Sequence, residues 1–120
     1  MDYSGSWPHY SMSFDFDGGK MQCSRYGNVG TTPSTTYNDG NWHYVFIYYN
    51  GTRQGMYVDG SHTEHMGANS GSLGTTLGDM IMGKEATTSF YVGYIDMLYI
   101  YTRALSLSEM DQLYNGGAGI

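Results

Sequence analysis

Near its C-terminal end the chain reads GYIDMLYIYTRALSLSEM, residues 93–110, and the first half of that stretch decides the fold. A strand with one face in water alternates apolar and polar side chains. Here Ile95, Leu98 and Ile100 are apolar, and so are Met97, Tyr99 and Tyr101 between them. The stretch reads as part of a strand over 89–103, the last and longest of the chain, whose second face needs a cover. The second half reads as a helix. Ser106, with Glu109 three residues later, makes a capping box that satisfies two orphan N–H groups reciprocally. Leu107, Met110, Leu113 and Tyr114 form one apolar stripe, and Gly116 and Gly117 can end it in a left-handed cap.

Upstream, turn signals separate short apolar runs. YSMSFDF (10–16) and KMQCSRY (20–26) flank DGG, a strong hairpin signal. A loop follows from Gly27 to Thr36. A strand over about 42–49 then turns at NGTR into QGMYVDG, which turns again at Asp59-Gly60 into SHTEHM. Residues 67–79 read as loop, and DMIMGK (79–84) as a short strand. There is no internal repeat. One domain over 1–120 is expected.

Composition agrees with an all-β chain. There are 18 glycines in 120 residues, against a usual share of about 7%. The net charge of −6 leaves no basic stripe to displace counterions from phosphates, which argues against a nucleic-acid partner. No run approaches the ~20 apolar residues of a membrane helix, so no membrane insertion is expected. MDYSGSWPHY at the start carries no basic region followed by an apolar run. Cys23 is the lone cysteine and shares a strand face with Met21, so a buried inert thiol is expected.

The stretches NDGNWHYVFIYYNGTRQGMYVDG (38–60) and VGYIDMLYIYTRALSLSEMDQLYNGG (92–117) closely resemble the laminin-G-like, concanavalin-A-like jelly-roll family. The motifs are Trp42-His43, Tyr57-Val58-Asp59-Gly60, Gly93 to Tyr101, Arg103-Ala104-Leu105-Ser106 and Tyr114 to Gly117. The resemblance covers 10–117 and implies an antiparallel β-sandwich with one short C-terminal helix. It departs from the family in two places. The family's domain normally carries more strands upstream, one of which pairs near the last strand, so the chain is expected to be the C-terminal two-thirds of a full module. Two outward positions of the last strand, usually charged in the family, are here Met97 and Tyr99.

Alternation on 42–49 sends Val45, Ile47 and Tyr49 one way, and Tyr44, Phe46 and Tyr48 the other. Tyr57 joins the second set. A large exposed apolar patch marks an interaction site, and burying one aromatic is worth roughly 4–6 kcal/mol before entropy. Phe46, Tyr48, Tyr57, Met97 and Tyr99 are therefore expected to be interface residues, covered by another chain or a second copy. The competing expectation is cover from the same chain.

Catalysis is not expected. Jelly-roll glucanases use carboxylates at alternate positions, Glu-x-Asp-x-x-Glu, and no such run exists here. The nearest approach is Asp15-x-Asp17, where turn duty is the plainer role. Many laminin-G-like domains bind one calcium, so Asp15 and Asp17 are weak candidate ligands, with no other cofactor expected. His62, Glu64 and His65 do not read as a zinc site, because residues three apart on a strand face opposite ways. Asp96 is expected to bond backbone at a bulge. Asn50-Gly51-Thr52 reads as a hairpin turn rather than a glycosylation site.

The family's commonest implied role is sugar recognition, which needs aromatic faces and rim amides or carboxylates. Trp7, Tyr10, Tyr37, Asn38, Asp39, Asn41 and Asn69 are the candidates, while Trp42 is expected in the core. The expected function is a non-catalytic lectin-like module of an extracellular or virion-surface assembly, of the kind found on phage fibres. It would bind glycan or protein, as a homo-oligomer or within a larger assembly. The alternative is a structural interaction module without a small ligand.

Overall fold

The structure is a computed structural model and describes residues 12–25, 28–29, 35–65, 82–85 and 89–119. The first hairpin forms as the DGG signal predicts. Strand β1 (Met12–Asp17) pairs antiparallel with β2 (Lys20–Arg25), and Gly18 and Gly19 between them both take positive φ. A two-residue strand β3 (Asn28–Val29) completes this sheet.

The second sheet is a three-stranded meander of β4 (Val45–Tyr49), β5 (Gln54–Val58) and β6 (Ser61–His65). Asn50 makes the first turn, because its side-chain carbonyl accepts the N–H groups of Thr52 and Arg53 at 3.0 and 2.8 Å. Asp59 and Gly60 make the second, both at positive φ. Two further strands among the described residues, β7 (Lys84–Glu85) and β8 (Ser89–Phe90), form a small pair.

The two three-stranded sheets pack face to face. Met21 and Cys23 from β2 meet Met56 and Val58 from β5, with Tyr37 and Val45 against them. The buried Gln54 is satisfied across the layers, where its amide donates to the Cys23 carbonyl at 3.3 Å. The Cys23 thiol is buried, as expected.

Strand β5 is buried along its whole length, so both of its faces are covered. The second cover is helix α1 (Leu107–Tyr114). The capping box forms as read from the sequence, with Ser106 and Glu109 each bonding the other's backbone. The helix lays Met110, Asp111 and Tyr114 over the sheet, where Tyr114 meets Tyr44 and Tyr57 edge-on at 6.1 Å. It ends one residue earlier than expected, because Asn115 takes the left-handed position before Gly116. Asparagine tolerates that conformation by local hydrogen bonding, and its amide donates to the Gly119 carbonyl at 3.1 Å.

The long final strand does not form. Only Ser89–Phe90 enters a ladder, and every residue from 91 to 103 is exposed. A strand persists only if its N–H and C=O groups find a neighbour, and among the described residues none runs alongside. The local chemistry of a kink is present. Met97 sits at φ 53, and the Asp96 side chain accepts its N–H at 2.8 Å. Asp96 thus bonds backbone, as expected, but at a bend that has no ladder partner among the described residues.

Candidate functional site

Of the residues named for sugar recognition, Tyr37, Asn38, Asp39 and Asn41 lie on one loop at one end of the sandwich. Three segments meet there: the β1–β2 turn, the loop 35–44 and the β5–β6 turn. The Tyr37 N–H donates to the Gly19 carbonyl at 2.8 Å, which fixes the loop to the first turn. The Asn38 side chain lies directly over Gly19, so that a Cβ there would fall 2.6 Å from its carbonyl oxygen. Tyr37 turns inward against the core, and Asn38, Asp39 and Asn41 stay exposed. Asp39 folds the loop on itself by accepting the Asn41 N–H at 2.9 Å. Bonds from Asn41, backbone first and then side chain, together with the His43 bond, hold its carboxyl down at about 2.

His43 anchors the other side of the loop. Its Nδ1 lies 2.7 Å from Asp59 Oδ2 and its Nε2 3.0 Å from Asp39 Oδ1. The other oxygen of Asp59 accepts the Tyr44 N–H at 2.8 Å. Tyr37 meets the imidazole edge-on at 5.1 Å.

Trp42 is not a core residue. It is 68% exposed, because it stands three residues before the first ladder residue of β4 and nothing described packs on its outer face. Its neighbour is Tyr94, 84% exposed, with ring centres 6.4 Å apart and planes tilted by 40°. This aromatic pair beside three Asx side chains is the arrangement that sequence reading missed. The available signal is position: Trp42 directly follows the Asp-Gly-Asn turn, where the chain has not yet entered the sheet.

The expected interface residues separate. Tyr57 is 2% exposed and has its cover from α1 of the same chain, so it presents no surface. Phe46 is half-buried between Tyr44 and Tyr57. Tyr48 lies across Gly55, and its hydroxyl donates to Glu64 and accepts from His62, both at 2.8 Å. Arg53 pairs with the other Glu64 oxygen at 2.5 Å. Met97 and Tyr99 are exposed. The chain passes near Tyr44 at Tyr99 and Tyr101; burial first, then those two phenols, raise the Tyr44 pKa.

Trp7, Tyr10 and Asn69 lie outside the described residues. Register sets Asp15 opposite Gln22 and Asp17 opposite Lys20, and their side chains lie outside the description. Among the described residues, no three His, Cys, Asp or Glu side chains converge as a metal site would require. No helix among them is long and apolar enough to cross a membrane.

A family model described as the concanavalin A-like lectin/glucanases superfamily, Laminin_G_3, matches residues 2–110. A comparison with curated proteins gives no match. Among solved structures, the chain is similar to an S-layer domain-containing protein from Clostridium thermocellum (its residues 221–444). The identity is 18%, the match covers 94% of this chain and 67% of that one, and the TM-score is 0.46. The two facing antiparallel sheets, the short C-terminal helix and the family match over 2–110 lead to one conclusion: the chain belongs to the laminin-G-like family of the concanavalin A-like lectin/glucanases superfamily.

Proposed function

We propose that the chain is a non-catalytic binding module of an extracellular or virion surface, and that it takes a glycan at the rim of residues 37–42 and Tyr94. The observation that carries this reading is the exposed Trp42–Tyr94 pair beside Asn38, Asp39 and Asn41. A pyranose ring has an apolar C–H face for an aromatic platform and a hydroxyl edge for amides and carboxylates. Asp39, with its low pKa, is an acceptor throughout the physiological range. The absence of a Glu-x-Asp-x-x-Glu run supports binding without hydrolysis.

A glycan array probed with and without calcium tests this reading. Retained signal on defined sugars, lost in Trp42→Ala and Tyr94→Ala, supports it. A silent array, or signal indifferent to both substitutions, overturns it. Release of reducing sugar that Asp15→Asn or Asp17→Asn abolishes would show an enzyme instead.

A second reading rests on residues 91–101, where apolar side chains are exposed and no ladder partner lies among the described residues. Unpaired backbone beside apolar surface accepts an added strand. On this reading the chain is a structural interaction module, with Met97 and Tyr99 in the contact, and its cover is a strand of another polypeptide or a second copy. Light scattering decides it: a stable, dilute monomer whose amides over 91–101 exchange freely with solvent would sink the idea.

A further inference from the structure

The imidazole of His43 stands between two carboxylates, Asp59 on Nδ1 and Asp39 on Nε2. An ionised carboxylate can only accept hydrogen bonds, and a neutral imidazole carries one N–H and one lone pair. A neutral ring therefore satisfies one side and turns its lone pair on the other acceptor. Both contacts are attractive only when both nitrogens are protonated. The geometry itself calls for the imidazolium form.

The two arms are unequal. Asp59 is fixed in the sheet: its second oxygen holds the Tyr44 N–H, and its own N–H donates to the Tyr44 carbonyl at 3.1 Å. The Asp59 contact is the shorter, at 2.7 Å, and its side chain is 32% exposed. Asp39 lies in the loop, at 3.0 Å, with its side chain 49% exposed. When the ring loses a proton, the remaining N–H stays with the shorter, better shielded partner, and the Asp39 arm opens. Trp42 lies between Asp39 and His43 in the chain, so its turn then loses its tie to the ring, while the Tyr37–Gly19 bond still anchors the start of the loop.

We infer that His43 is a protonation-operated latch, a positioning residue whose imidazolium holds the Asp39–Trp42 loop to the β5–β6 turn and whose neutral form releases it. The latch acts on the rim assigned above as a glycan site, so its effect on binding rests on that reading; its effect on the loop does not.

The direction of titration follows. Burial pulls the His43 pKa down, but the bonds to Asp59 and Asp39 outweigh it and raise it above 6.5. Among the described residues, the groups facing the ring are these two carboxylates and the Tyr37 ring. A raised folded pKa means that the stabilisation is complete below the unfolded value and is lost as pH rises through the folded one. The loop is held on the acid side and freed on the alkaline side.

The test is a pH titration of the chain by nuclear magnetic resonance, with the His43 ring nitrogens and the Asn41 and Trp42 amides followed together. The expected result is a single-proton transition with a midpoint above 6.5 at all three positions, with protection of the two amides lost on the alkaline side. In His43→Gln the amide transition is expected to vanish, and the amides to resemble the alkaline state at every pH. If that variant does not fold by circular dichroism, Asp39→Asn serves. There the ring midpoint is expected to move down and the coupled amide change to disappear. A His43 midpoint below 6.5, or ring titration with no response at Asn41 and Trp42, overturns the latch. Glycan affinity measured across the same range is expected to fall with the ring's proton. Absence of any glycan binding would sink the functional reading while the resonance data still judge the latch.

Discussion

The Tyr57 hydroxyl donates to the Asp111 carboxylate at 2.5 Å and joins the middle of β5 to the helix across 54 residues of sequence. A hydrogen bond to a charged group contributes about 1.5–3 kcal/mol. Asp111 is exposed and regains water when the hydroxyl is removed, so Tyr57→Phe should cost about 1.5 kcal/mol, at the low end of that range. Urea unfolding measures it. Burial first, and then the Asp111 bond, push the phenol up to about 12 from 10.0. The tyrosine's contribution is therefore complete below pH 10.0 and lost as pH climbs through about 12. An ultraviolet absorbance titration should show late-ionising phenols in the folded chain, Tyr57 and Tyr48 among them, and in Asp111→Ala the Tyr57 share should move to lower pH without reaching 10.0, because its burial remains.

Gly55 is kept small by Tyr48. A Cβ at Gly55 would lie 2.5 Å from the Tyr48 hydroxyl oxygen, and that ring is held by Glu64 and His62. Overpacking of this kind costs about 1–3 kcal/mol, so Gly55→Ala should lower the urea midpoint accordingly. The double variant with Tyr48→Ala should recover part of the loss. No recovery would place the cause in the strand backbone instead.

The helix cap is sensitive to acid. Bonds from Arg103 first, then from the Ser106 backbone and side chain, hold the Glu109 carboxyl at about 2 against an ordinary 4.5. Its contribution is thus present above pH 4.5 and lost as pH falls through about 2. Circular dichroism during acid titration should show helix signal falling in that window, with Glu109→Gln already weakened above it. Ser106→Ala removes the cap's acceptor and should cost about 1 kcal/mol.

Trp42 distinguishes packing from recognition. A core tryptophan replaced by alanine costs about 3–5 kcal/mol, whereas an exposed one changes stability by about 0.5 kcal/mol or less. Its exposure puts Trp42→Ala in the second class. Thermal unfolding should leave the variant close to the parent while glycan signal disappears.

The parts of the fold that are legible in the sequence are those whose partners are close in sequence. Gly18-Gly19, Asn50-Gly51 and Asp59-Gly60 each announce a turn by residue type, and all three lie where the structure turns. Ser106 and Glu109 announce the helix start because both halves of the bond lie within one turn. What alternation cannot tell is which surface answers which face. Tyr57 and Met97 carry the same apolar label, yet one is sealed by α1 and the other is open. Trp42 fails for the same reason, since its type fits a core and only its distance from the ladder says otherwise. In the candidate site, Asn38, Asp39 and Asn41 are legible as turn residues. The bridge through His43 needs Asp59, sixteen positions away, and no local pattern supplies it.

The left-handed Met97 has a consequence for how this stretch could stack upon copies of itself. Amyloid grows by stacking identical flat strands, each residue directly above its copy. A side chain at φ 53 cannot tile in that way without first straightening, and Asp96 beside it would pile negative charge upon negative charge along the fibre axis. The bend at Asp96-Met97 thus works against flat, in-register stacking of this apolar stretch upon copies of itself.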